Sequence, residues 1–382
     1  MMRALIEVIR DLYPNRERVA LHEPVFLGSE RAYTQDAIES TFVSSVGAFV
    51  DRFEAELATT TGVERAVAVV NGTSALHVAL HAVGVEAGDL VITQAFSFVA
   101  TANAIRYTGA DPLFIDIERA TLGLDPDRLT DFLNSECSQT IEGLCLHVES
   151  NRIIKACVPM HTFGHPCRID QIQAICDHWG ITLIEDAAES MGSRYQDQHT
   201  GTFGVIGTVS FNGNKIMTAG AGGALLTDHQ HGSTLKHLTT TAKEPHPWGY
   251  RHDQLGFNYR MPNLNAALAC AQLEQLRDFV EKKRAVAHRY QTVCEPLDIE
   301  FVTEPVHAYA NYWLNAILVD SLDDRDQLLS TLHTHQIFAR PGWDPLHTLP
   351  MFERCLRDDL STTQRIFERL INLPSSVPTE AV

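Results

Sequence analysis

Basic residues are scarce: 30 Lys and Arg stand against 48 Asp and Glu, a formal net charge of −18. So acidic a surface repels nucleic-acid phosphates and anionic lipid, and neither is expected as a main partner. A few local cations can still hold an anionic small molecule. Cysteine pairing motifs are missing too. The eight cysteines (Cys137, Cys145, Cys157, Cys167, Cys176, Cys270, Cys294 and Cys355) contain no Cys-X-X-Cys, and several lie inside apolar runs. That is how buried free thiols sit, and it predicts a reduced, cytoplasmic protein. Low-complexity tracts and internal repeats are absent. The stretch Met1–Asp11 is apolar at helical spacing, but charges interrupt it and it is too short to span a bilayer. A short amphipathic helix packed on the body or on a partner chain is expected there, not a signal peptide or an anchor.

What is present is an ordinary globular composition, 45% hydrophobic and 20% charged, over 382 residues. That length exceeds a single small core and predicts two domains. From about residue 60 to residue 230, short apolar runs alternate with helical patterns. Ala66–Val70, Leu90–Ile92, Leu113–Asp116, Ile153–Met160, Ile181–Ile184, Gly207–Phe211 and Ala224–Thr227 read as strands. Leu76, Ala79, Leu80 and Val83 form the stripe of a helix packed on a sheet. Ile169–Trp179 is another helix, stopped by Gly180. This alternation predicts an α/β layer around a largely parallel sheet, with ligands at the carboxyl ends of its strands.

After residue 230 the texture changes. Lys243–Tyr250 is a proline-rich loop, and Pro262 opens a long helix expected to run to about Val293. A strand over Trp313–Val319 and a helix over Arg325–His335 then suggest a smaller α+β domain. The expected division is an N-terminal arm (1–25), a large domain (26–260), and a bridging helix with a small C-terminal domain (261–382). Two stretches look irregular: Asn134–Asn151, a polar insertion, and Pro374–Val382, which has little core-forming content and is expected to fray.

Several residues carry chemistry. Lys215 lies between a strand and the glycines Gly220, Gly222 and Gly223, which let the backbone approach a ligand closely. A lysine so placed can form an imine and move protons, although most lysines are solvated surface charges. Asp186 ends a strand, where it either faces a cofactor nitrogen or caps the following helix. Gly72, Thr73 and Ser74 open a helix whose free N–H groups suit an anion, or merely cap it. Ser210 is placed to donate to a phosphate. Together these are what a pyridoxal phosphate site requires. His77 and His81 share a helix face, but no third ligand or zinc motif accompanies them, so structural imidazoles are expected and no metal.

The ordered set Asn71-Gly-Thr-Ser-Ala-Leu76, Phe96-Ser-Phe-Val-Ala-Thr101, Glu185-Asp-Ala-Ala-Glu-Ser190, Ser210-Phe-Asn-Gly-Asn-Lys215 and Gly256-Phe-Asn-Tyr-Arg-Met261 resembles the DegT/DnrJ/EryC1/StrS family of pyridoxal-phosphate-dependent nucleotide-sugar aminotransferases. The resemblance runs from about Phe26 to Leu373. It implies a fold-type-I, aspartate aminotransferase-like architecture: a three-layer large domain with a mostly parallel sheet, a smaller α+β domain, and a homodimer sharing its active sites. By motif, Lys215 resembles the cofactor-bearing lysine, Asp186 the partner of the pyridine nitrogen, and Phe98 the aromatic stacked on the ring. Gly72, Thr73, Ser74 and Ser210 resemble the phosphate cradle, and Asn258 the asparagine reaching the phosphate from the neighbouring subunit. Glu189 departs from the glutamine of many members and is similar to members that aminate C4. Val46–Glu54, the insertion before Lys155, Thr240–Pro245 and His252–Asn263 resemble the bacillosamine and legionaminic acid branch. Its members aminate a UDP-linked 2-acetamido-2,6-dideoxy-4-ketohexose, with glutamate as donor.

Substrate contacts are expected from His161, placed by the resemblance toward the sugar pocket, from Arg260, and from Tyr312 and Trp313 beside the nucleotide. Packing roles for the aromatics and a surface ion pair for Arg260 are the alternatives. Two other activities remain open from the sequence: amination at C3, which no residue excludes, and a non-catalytic cofactor-binding regulator. Dehydration is disfavoured, because family dehydratases carry histidine where this chain has Lys215.

Overall fold

The apolar runs of the first half pair into one sheet because each is buried along nearly its whole length and needs cover on both faces. In the computed structural model, which describes residues 2–379, the strand order is Arg65–Val69, Gly223–Thr227, Ile206–Ser210, Thr182–Asp186, Arg152–Val158, Leu90–Gln94, Asp111–Ile115. The last five are mutually parallel. Gly223–Thr227 runs antiparallel to both neighbours. Helices Gly72–Ala82 and Val99–Tyr107 cover one face, with Leu76, Ala79, Leu80, Ala104 and Ile105 packed on Val67, Val91, Val158 and Ile184. Helices Pro126–Glu136 and Ile169–Trp179 cover the other, with Leu129, Leu133, Ile172 and Cys176 against Ile92, Leu113, Cys157 and Leu183. Gly180 ends the latter helix at φ 66, as its position in the sequence requires. The result is the three-layer fold-type-I architecture expected. The carboxyl ends Gln94, Val158, Asp186 and Ser210 open onto one edge.

The insertion at 134–151 is not an irregular loop. Cys137–Gln139 and Cys145–His147 form an antiparallel hairpin, and the second strand pairs with Arg152–Ile154. Thr182–Asp186 covers only Ala156 and Cys157 of that edge, so the hairpin takes up backbone groups otherwise unpaired.

A second core lies apart. Leu5, Val8, Ile9 and Leu12 of helix Met2–Leu12 pack with Val286, Tyr290 and Cys294 of helix Leu276–Cys294. They also meet Leu328 and Leu332 of helix Leu322–Thr334 and an antiparallel sheet, ordered Glu300–Phe301, Asn315–Leu318, Leu370–Leu373, Arg340–Pro341. The amphipathic N-terminal helix thus docks on the body of its own chain. The expected long helix is two, Asn263–Leu273 and Leu276–Cys294, separated at Glu274 and Gln275. Gln272 and Gln275 both donate to Glu30 Oε1 at 2.7 Å, which ties the break to helix Glu30–Glu39. The terminal stretch is also ordered where described. Ser375, Ser376 and Val377 are buried, Ser375 N–H donates to Leu21 O, and Tyr13 Oη donates to Ser376 O. The remainder of that expectation, residues 380–382, lies outside the described residues. No helix among the described residues is long and apolar enough to cross a membrane.

Candidate active site

Four strand ends and one helix start converge on a cavity of about 300 Å³ lined by Gly72, Thr73, Phe98, Asp186, Glu189, Ser210, Lys215, Trp313 and Trp343, among others. Lys215 sits in the turn joining Ile206–Ser210 to Gly223–Thr227. Its amide donates to Asn212 O, and Ala219 N–H closes the turn on Phe211 O. Its Nζ lies 3.1 Å from Glu189 Oε1 and 4.0 Å from the centre of the Trp313 ring.

Asp186 is buried at the end of its strand, accepting from Thr101 Oγ1 at 2.7 Å and from Ala188 N at 3.1 Å. Burial raises its pKa above the ordinary value, against those two bonds and the charge of Lys215. Two donors leave a carboxylate with acceptor capacity to spare, and a protonated ring nitrogen would use it. Glu189 is likewise raised by burial, with Lys215 and the Phe163 N–H (2.9 Å to Oε2) pulling the other way.

At the helix start, Asn71 Oδ1 caps Ser74 N–H at 2.8 Å. Gly72 and Thr73 face the cavity, and Ser74 stands one step behind. A Cβ on Gly72 would come within 2.9 Å of Ser210 Cβ, so only glycine keeps the space between helix start and Ser210 open. Pyridoxal phosphate fits this donor set. The helix N-terminus with Ser210 suits its phosphate, Asp186 its ring nitrogen, the half-exposed Phe98 its ring face, and Lys215 its aldehyde carbon.

Other expected residues are placed differently. His161 does not face the cavity. It is fully buried, with Nδ1 accepting from Cys167 N at 3.1 Å and Nε2 at 3.0 Å from Glu185 Oε2. A backbone N–H into Nδ1 fixes the proton on Nε2, so the ring donates to Glu185 and has no valence left for a substrate. Tyr312 also turns away, stacking on Phe301 and accepting from Glu304 N through its hydroxyl. Trp313 does line the site. Asn258 and Arg260 lie toward the surface, bonded to each other at 2.8 Å and away from this chain's own cavity. His77 bonds Tyr259 Oη at 3.0 Å and packs edge-on to Phe257, a structural imidazole. Among the described residues no cluster of His, Cys, Asp or Glu could hold a metal ion.

The sequence reading missed Thr101 and Trp343. Thr101 is legible only as the last residue of Phe96–Thr101. Trp343 follows Pro341 and Gly342, a turn after strand Arg340–Pro341 that brings an indole to 6.5 Å from the Phe98 ring. It also joins Phe98, Asn214 and Trp313 in lining a second, adjoining cavity of about 600 Å³.

The profile of the DegT/DnrJ/EryC1/StrS aminotransferase family matches residues 27–381. EpsN of Bacillus subtilis (strain 168), to which a pyridoxal phosphate-dependent aminotransferase activity is ascribed, is 36% identical over 365 residues, covering 94% of this chain and 91% of that protein. The GDP-perosamine synthase of Escherichia coli O157:H7 is 35% identical over 359 residues, covering 94% and 93%. Among solved structures, the aminotransferase TlmJ from Streptoalloteichus hindustanus superposes with a TM-score of 0.85 at 26% identity, over 94% of this chain and 93% of that one. With its lysine, carboxylates and anion cradle gathered at one sheet edge, the chain belongs to the DegT/DnrJ/EryC1/StrS aminotransferase family and is a pyridoxal phosphate-dependent sugar aminotransferase.

Proposed function

We propose that the enzyme transfers an amino group from glutamate to C4 of a nucleotide-linked 4-keto-6-deoxy sugar, with UDP-2-acetamido-2,6-dideoxy-4-ketohexose as its substrate, for bacterial surface glycan synthesis. The observation that carries the chemistry is the convergence of Lys215, Asp186 and Glu189 on one cavity. When bound, the cofactor supplies the electron sink that lets a proton leave the carbon bearing the nitrogen. Asp186 holds a charge opposite its ring nitrogen. Lys215 Nζ, once displaced by the donor amine, takes the proton from the donor carbon and in the second half-reaction delivers one to C4 of the sugar. Glu189 keeps that amine oriented, and Phe98 and Trp343 border the space the reactants enter.

The assembly we propose is a homodimer, in which Asn258 reaches the phosphate of the neighbouring subunit and Arg260 serves a donor carboxylate or a phosphate. Trp248, Tyr250 and Leu255 support it: large apolar side chains, Trp248 84% exposed, that a partner would cover beside Asn258. The eight free thiols fit a cytoplasmic setting. In this reading residues 26–260 carry the cofactor and 261–382 close over it.

A second reading has a specific support. The perosamine synthases of Escherichia coli O157:H7 and Vibrio cholerae, both 35% identical to this chain, are named for a GDP-linked sugar. Supplying glutamate should bleach the visible band of the purified enzyme. UDP-linked and GDP-linked 4-keto sugars offered separately should then restore it, with the product's amino position read by NMR. Turnover of the GDP sugar alone would replace the UDP reading, and no bleaching by glutamate would end the donor assignment.

A further inference from the structure

The indole of Trp313 is held with more constraint than lining a pocket demands. Its N–H group Nε1 donates to Asn214 O at 2.7 Å, its backbone N–H donates to Asn311 Oδ1 at 2.7 Å, and its carbonyl accepts from Lys283 Nζ at 3.1 Å. Asn311 in turn donates from Nδ2 to the carbonyls of Glu189 and Met191, each at 2.9 Å. Between Asn311 and Trp313, Tyr312 sits at φ 48, a left-handed conformation that costs an aromatic residue and persists only where its surroundings enforce it. All this fixes one thing: an indole face 4.0 Å from Lys215 Nζ, on an ammonium that also touches Glu189 Oε1 at 3.1 Å.

Lys283 is the unusual member. It is fully buried in helix Leu276–Cys294 and donates to two carbonyls, Trp313 O and Ser375 O, with no carboxylate in contact among the described residues. Two acceptors satisfy the two N–H bonds of a neutral amine and would leave one N–H of an ammonium unpaired. Burial accordingly draws its pKa well below that of an ordinary lysine. It therefore works here as a hydrogen-bond donor to two carbonyls.

We propose that Trp313 is the resting platform of Lys215 in its released state, and that Lys283 and Asn311 are positioning residues that set the indole face beneath it. This rests on Lys215 being the lysine that leaves the cofactor when the donor amine arrives. The free amine must then be kept near and oriented, and once it has taken the donor proton it must be held as an ammonium until that proton is delivered. A carboxylate on one side and a π face on the other do that without forming a bond that must later be broken. The charged or titratable groups around Lys215 are Glu189, Asp186 and His22. Exchanging the indole leaves the hydrogen bonds of Glu189 and Asp186 in place, while His22, whose ring lies 6.3 Å from that of Trp313, loses a neighbour.

The test uses the cofactor-free full chain and acetic anhydride labelling of Lys215 across pH, read by mass spectrometry. The rate at pH 7 is divided by the plateau at high pH, so that access cancels and protonation remains. Trp313→Leu should raise this ratio roughly two- to fivefold, the scale of a partly exposed cation–π contact, and Trp313→Phe should raise it less. An unchanged ratio in Trp313→Leu overturns the platform. Lys283→Met should move the ratio in the same direction, and the double variant should match Trp313→Leu alone. A Lys283→Met protein that only melts earlier, with a wild-type ratio, overturns the positioning role. Lys283→Gln, whose amide N–H groups sit on a side chain one atom shorter, serves if the methionine variant does not fold. Pyridoxal phosphate should protect Lys215 from labelling in the wild type. Failure of that protection would count against the cofactor role of Lys215 and leave the comparison of Trp313 variants readable.

Discussion

Glu185 and Glu189 stand four residues apart, both buried, on either side of Asp186, yet their surroundings treat a negative charge oppositely. Glu185 accepts from the backbone N–H groups of Gly201, Phe203 and Gly204 at 2.6–2.8 Å and from His161 Nε2. Burial works against its charge, but His161 and those N–H groups outweigh it and hold the pKa below the ordinary value. Glu189 has one backbone N–H and Lys215, and there burial prevails and the pKa rises. The number of fixed donors thus decides which carboxylate is a permanent charge that anchors a loop and which can take part in proton traffic beside a cavity.

The comparison breaks first at Lys215. Lys215→Ala removes the group proposed to exchange with the donor and move the proton, so amino-sugar formation should fall at least about a thousandfold while the melting temperature changes little. Retained turnover at the wild-type rate would show that the Glu189 side is not where the chemistry lies. Next, Glu185→Gln strips one partner from a buried, fully bonded pair and should cost about 3–5 kcal/mol in denaturant unfolding. A carboxylate whose folded pKa is depressed stabilises above its unfolded value and loses that contribution as pH falls through the folded pKa. Wild-type stability should therefore decline on the acid side, below the ordinary carboxylate range, and the Gln variant should show a flatter acid limb. The smallest change is expected from Glu189→Gln, within about 1 kcal/mol of wild type in stability, because an amide oxygen can still accept from Lys215 Nζ or the Phe163 N–H and fewer fixed donors are lost than at Glu185. Equal losses for the two Gln variants would refute the distinction.

Much of the large domain was legible beforehand. Helix Ile169–Trp179 with its Gly180 stop follows directly from apolar spacing and a left-handed glycine, and the sheet strands follow from short apolar runs. Lys215, Asp186, Ser210 and Phe98 meet because each ends or follows a strand of the same sheet, which fixes their relative places once the sheet is recognised. What escaped depends on partners distant in sequence. His161 and Asp186 look alike as polar residues after strands, and only the Gly201–Gly204 turn with Glu185 decides that the histidine faces inward. Trp343 reaches the site from the turn after strand Arg340–Pro341, far away in the sequence, and no local pattern announces that. The hairpin of residues 137–147 carries little apolar periodicity, since its place comes from a vacant sheet edge.

The stitching of Tyr13 to Pro374 and Ser376, across sequence separations of 361 and 363 residues, also bears on the order of assembly. The cofactor sheet closes between residues 65 and 227 and can consolidate on its own local contacts. Helix Met2–Leu12 must keep its apolar face in reserve until strand Leu370–Leu373 exists. Closing so long a loop is slow relative to local pairing. Trp313 and Trp343 line the cavity from beside strands Asn315–Leu318 and Arg340–Pro341 of the C-terminal sheet, so on the proposed mechanism catalytic competence should trail the formation of the lysine-bearing sheet as the protein folds.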